Sequence, residues 1–189
     1  TPGPVGISNF QDPVRLSLRD LARMMLTLSD NAATDLLIAR IGLDAINARA
    51  VSCGCRETRI VRDLKAMLDT MAVELEFRNY AELLAAQSGK LGPAAHAGST
   101  DPCRIAAVAA LDPARGSRTT ARDMTTLLAA VWNDTAALPP ACATLRDVMG
   151  RQVTRRLEAA VPHGGALAAK SGALFGRVPP AAGSVRFQG

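Results

Sequence analysis

Residues 17–42 constrain this chain most: two amphipathic helical runs joined by a junction of three polar residues. Ser17 is a good N-cap, and Asp20 stands three positions on, a variant of the capping box. Leu18, Leu21, Met24, Met25 and Leu28 then recur with the helical period. Ser29-Asp30-Asn31 stops that run, because these short polar side chains compete for backbone hydrogen bonds and favour a turn or a cap. A second run through Leu36, Leu37 and Ile41 closes at Gly42, which suits a helix C-terminus.

A third short helix is expected over about residues 43–50, an extended and then looped stretch over 56–63, and helical spacing again from about 66 to 86. Residues 87–117 turn rich in Gly, Pro, Ala and Ser and read as an insertion or long surface loop. Thr119 or Thr120 caps an amphipathic run through Met124, Leu127, Leu128 and Val131, and Pro139-Pro140 opens another with Leu145, Val148 and Met149. After Pro162 and Gly164-Gly165 the texture becomes strand-like, over 166–171 and again over 184–187. Helices first and strands last predict an α+β fold: a helical region plus part of an antiparallel sheet. A lone strand pair is marginal, so the expectation is one partial domain over 1–189, mostly helical to 165 and incomplete at both ends.

Composition excludes several classes. At 189 residues and 48% hydrophobic content a real core can be buried. No apolar run approaches the roughly 20 residues that span a bilayer, and residues 1–6 lack the basic and apolar regions of a signal peptide. The net charge of +5 is carried mostly by scattered Arg, and with 3% aromatic content little is available to stack on bases. Residues 17–41 have the outline of a helix–turn–helix, but Ala32-Ala33-Thr34-Asp35-Leu36-Leu37 offers little to phosphates, and Asp30 and Asp35 would repel them. No nucleic-acid partner is therefore expected. Cys53-Gly54-Cys55 is too tight for a zinc knuckle, and His96 and His163 lie far from it, so no metal is expected. A disulfide from this pair to Cys103 is open to an exported protein; otherwise the four cysteines are plain thiols.

Two motifs carry chemistry. Ser29 and Asn31 place a hydroxyl and a carboxamide two residues apart at a helix start, and Lys170-Ser171-Gly172 places a cation, a hydroxyl and an open backbone on an extended segment. Together they suit an anion-binding, proton-shuttling cleft, although Ser-Asp-Asn is also simply a good cap. In this order the motifs resemble the class A serine β-lactamase and penicillin-binding protein family, whose signature is S-x-x-K, S-D-N and K-T-G. The likeness extends over residues 16–37, Glu57-Thr58-Arg59-Ile60-Val61-Arg62-Asp63 (similar to the entry of an omega loop), Thr119-Thr120-Ala121-Arg122-Asp123-Met124 and Ala168-Ala169-Lys170-Ser171-Gly172-Ala173-Leu174.

The resemblance implies roles position by position. Ser29 would pass a proton to the departing amide nitrogen, and Lys170 would bias the charge of Ser29 and attract a substrate carboxylate. Asn31 would hold the substrate's side-chain carbonyl. Ser171 would bond the carboxylate, Gly172 would let substrate approach, and the Ala173 N–H would form half an oxyanion hole. It implies a monomeric, exported hydrolase without cofactor, acting on β-lactams or peptidoglycan-like small molecules. The departures matter too. No Ser in the chain has Lys three residues on, and the family's deacylating Glu falls on Leu64, with Asp63 and Asp69 as nearby carboxylates. Loss of the nucleophile in a coupled set forfeits about a million-fold, so the chain as given is expected to be inactive. The alternatives are a non-catalytic or vestigial penicillin-recognising module, or a D-alanyl-D-alanine peptidase-like cell-wall enzyme.

Overall fold

A computed structural model describes residues 5–154, 161 and 167–172. They form two compact units, one from the described residues of 5–60 and 118–171, the other from 61–117 with Gly172.

In the first unit a 3-10 turn (Ile7–Asn9) leads into α1 (Leu18–Thr27), α2 (Asn31–Ile41) and α3 (Leu43–Ser52); after the second unit come α8 (Ala121–Trp132) and α9 (Pro139–Gly150). The caps lie where local chemistry places them. Ser17 Oγ accepts from Asp20 N at 3.1 Å and donates to the Asp20 carboxylate at 2.6 Å. Thr120 caps α8 by accepting from Asp123 N at 3.1 Å, and Pro139 opens α9. Gly42 ends α2 at φ 87°, a conformation glycine takes without a Cβ penalty. Leu21, Ala33 and Leu37 form a small buried cluster, covered by Ile7, Leu16, Ala22, Met24 and Met25. α1 packs on both α2 and α9, and α8 packs on α9.

The second unit holds α4 (Leu64–Glu74), α5 (Tyr80–Gln87), α6 (Pro93–Thr100) and α7 (Pro102–Ala107), then a 3-10 turn, Ala109–Leu111. Leu68, Met71, Ala72, Leu75, Tyr80, Leu83, Ile105, Val108 and Ala110 make one buried cluster. Much of 87–117, expected as a long loop, is therefore helical. Proline at N1 of α6 and α7 and an Asp101 cap that accepts from Cys103 N at 2.8 Å start helices within a stretch whose Gly and Pro content reads as loop.

The expected sheet is not present among the described residues. Among the described residues no strand occurs; a single antiparallel bridge joins Arg59 and Arg118. Leu167 to Gly172, expected within a strand, has no ladder partner. Ala169 N donates instead to Met149 O at the end of α9 (3.3 Å), and Ser171 N donates to a side chain, Gln152 Oε1 (3.0 Å). A strand exists only through pairing, and here helix ends take the backbone groups that a neighbouring strand would take. The second expected strand, 184–187, lies outside the described residues. The α+β description is corrected to a helical one for the residues described.

Candidate active site

The junction between α1 and α2 is built around Asp30, 1% exposed. Its Oδ1 accepts from Ala32 N (2.9 Å) and Ala33 N (3.1 Å), satisfying two of the orphan donors at the α2 start. Its Oδ2 accepts from Ile7 N at 2.9 Å. Gly6, at φ 91°, makes room for that contact: a Cβ there would lie 2.0 Å from Asp30 Oδ2. Asp30 is thus the structural member of its tripeptide.

Ser29 precedes this cap at φ 59°, left-handed for a non-glycine residue. That turn lets Asp30 N reach back to Met24 O (3.3 Å), closing α1. Ser29 is exposed, and its Oγ accepts from Lys170 Nζ at 2.7 Å. Asn31, the first residue of α2, is half-buried and its carboxamide has no partner among the described residues. Two of the predicted site segments are therefore brought together across 141 positions of sequence.

Lys170 also donates to Ser171 O. No carboxylate pairs with it among the described residues, and desolvation lowers its pKa from the ordinary lysine value. Ser171 is fixed twice by Gln152: Ser171 N donates to Oε1, and Nε2 donates to Ser171 Oγ at 3.1 Å. A Cβ added to Gly172 would meet open space. Ala173 lies outside the described residues.

The arrangement is rich in donors and poor in acceptors. Each hydroxyl has one lone pair filled by a nitrogen donor; among the described residues neither hydroxyl proton has an acceptor and no carboxylate pairs with Lys170. Such a group suits a carboxylate ligand and a proton relay.

The two carboxylates noted near Leu64 have other work inside the second unit. Asp63 caps α4, accepting from Ala66 N at 2.7 Å. Asp69 pairs with Lys65 (2.6 Å) and accepts from Tyr80 N (3.0 Å), and the Lys65 hydrogen bond is the first cause of its lowered pKa. Leu64 is the first residue of α4. Among the described residues no three metal-ligating side chains cluster, and no helix is long and apolar enough to cross a membrane. All four cysteines are free thiols.

Sequence reasoning missed Gln152. It follows α9, carries no motif and is 5% exposed; nothing local distinguishes it from a surface glutamine. Asp123 stands in the Thr119-Thr120-Ala121-Arg122-Asp123-Met124 segment, where the sequence assigns it no role. It is 4% exposed and accepts from Glu57 N (2.9 Å) and Thr58 Oγ1 (2.7 Å), tying the 56–59 stretch to the start of α8.

The described residues thus bring together a serine held by a lysine at a helix junction and a second, lysine-adjacent hydroxyl. The chain belongs to the β-lactamase enzyme family, whose model matches residues 1–188. It is 29% identical over 168 residues to a beta-lactamase regulatory protein, BlaB, of Streptomyces cacaoi, covering 82% of this chain and 50% of the relative. The chain thus spans about half the length of that curated relative. No solved structure matches.

Proposed function

We propose that this chain recognises β-lactam-type cyclic amides through their carboxylate and relays a proton at Ser29 during acyl transfer, as part of a β-lactamase-family serine hydrolase. The observation that carries the reading is the hydrogen bond from Lys170 Nζ to Ser29 Oγ. Ser29 Oγ–H protonates the departing amide nitrogen and recovers a proton from the Lys170 ammonium, which desolvation makes easier to lose. Lys170 and Ser171 face the carboxylate, Asn31 holds an amide carbonyl of the ligand, and Gly172 leaves room beside the backbone. The nucleophile of such a reaction is not supplied by a Ser-x-x-Lys of these 189 residues.

The name of the relative favours a second reading, in which the same site recognises a β-lactam without turning it over and serves regulation. A Ser-x-x-Lys in coding sequence upstream of residue 1, with hydrolysis by that longer form, favours the first; its absence favours the second.

Both readings predict that this chain binds benzylpenicillin reversibly. Lys170→Ala should weaken binding by about tenfold or more, the scale of a charge-assisted hydrogen bond of about 1.5–3 kcal/mol. Titration calorimetry measures the affinity, and intact mass reports any adduct. No binding overturns the proposal. A covalent adduct on this chain would make one of its own side chains the nucleophile and overturn the relay role of Ser29.

A further inference from the structure

Gln152 is a buried polar side chain that the proposed chemistry does not use, yet both ends of its amide meet the site. A backbone N–H can only donate, so the Ser171 N–H fixes Oε1 as the atom facing it. The NH2 end is then set: one bond goes to Ser171 Oγ (3.1 Å) and a longer one to Leu26 O (3.5 Å), in the last turn of α1. Val153 N, the next residue, donates to Thr27 O at 3.1 Å on the same turn. One amide therefore ties Ser171 to the helix end that presents Ser29.

The polarity of these bonds decides what Ser171 can do. A serine hydroxyl has one proton and two lone pairs, and left alone it rotates to suit either a donor or an acceptor. With Nε2 donating into Oγ, the Ser171 proton has no acceptor in Gln152 and is directed away from it, towards a ligand that accepts. Resting on the function proposed above, we infer that Gln152 is a positioning residue that holds the Ser171 hydroxyl as a donor and so selects a carboxylate ligand.

The test compares benzylpenicillin with its methyl ester, which lacks the free carboxylate, on the full chain. Gln152→Met keeps the side-chain length and removes both bonds to Ser171 and the longer one to Leu26 O. Gln152→Glu keeps the acceptor for Ser171 N and lets the hydroxyl turn inward to donate to the new carboxylate. Both should weaken the acid by about ten- to a hundredfold, the scale of a charge-assisted hydrogen bond, and change the ester little. Ser171→Ala should weaken the acid by a similar factor, and the Gln152→Met/Ser171→Ala double variant should lose no more than either single one. Equal losses for acid and ester, or losses that add in the double variant, would show that Gln152 only supports the fold and overturn the inference. If the wild-type chain binds neither compound, the proposed function fails and the role of Gln152 fails with it. Binding of the acid by wild type and by both Gln152 variants alike overturns the role of Gln152 alone.

Discussion

Ser29 accepts the Lys170 hydrogen bond from a backbone position that costs energy. Its left-handed φ of 59° costs a side-chain-bearing residue about 1–2 kcal/mol, which glycine avoids. Ser29→Gly should therefore leave thermal stability unchanged or raised by up to about 1 kcal/mol while removing the hydroxyl that Lys170 holds. Ser29→Val places a β-branched residue in that region and should lower stability clearly. Urea denaturation of the three proteins measures both; a Gly variant markedly less stable than wild type would show that the hydroxyl, not the turn, carries the structural role. At the same scale the tripeptide divides its labour. The tripeptide was legible in the sequence as a turn or cap, and the structure makes Asp30 the capping residue. What could not be read is that its second carboxylate oxygen binds Ile7 N, because that contact depends on a glycine 24 positions earlier having no Cβ.

At the scale of elements, the first turn of α8 carries a carboxylate, Asp123, that also organises the stretch before the second unit. Asp123 accepts from Thr58 Oγ1 and Glu57 N, and these bonds, led by Thr58, hold its pKa below the ordinary aspartate value. A carboxyl whose folded pKa is depressed stabilises the protein at pH above its unfolded value of about 3.9, and that stabilisation is lost as pH falls through the folded pKa. Asp123→Asn should thus be less stable than wild type at pH 7, and the gap should close progressively as pH falls below about 4. Denaturation midpoints from pH 7 to 2 test this; a gap independent of pH would assign the loss to packing. Helix starts at Ser17, Thr120 and Pro139 follow from local rules and were legible. The helices of 93–107 were not, since two proline-opened helices and their glycines have the composition of a loop.

Across the whole molecule, two buried clusters with no residue in common carry the two units. Leu83 is fully buried in the cluster of the second unit, and Leu83→Ala should cost about 2–5 kcal/mol. Cooperative units open separately, so amide exchange in α4, α5 and α7 should quicken more than in α1 and α2. Uniform quickening across all helices would show one cooperative core instead.

By itself the sequence determined what depends on neighbours along the chain. That covers the helix periods, their caps, the Ser29-Asp30-Asn31 tripeptide as a turn or cap between two helices, and the presence of a Lys170-Ser171-Gly172 segment. The reason is range: a cap or a helical stripe is decided within about four residues. Only the tertiary structure decided that Lys170 reaches Ser29 and that Gln152 sets Ser171. It also decided that 167–172 lies against helix ends rather than in a ladder, because a strand pattern gives an extended residue no say in who accepts its N–H.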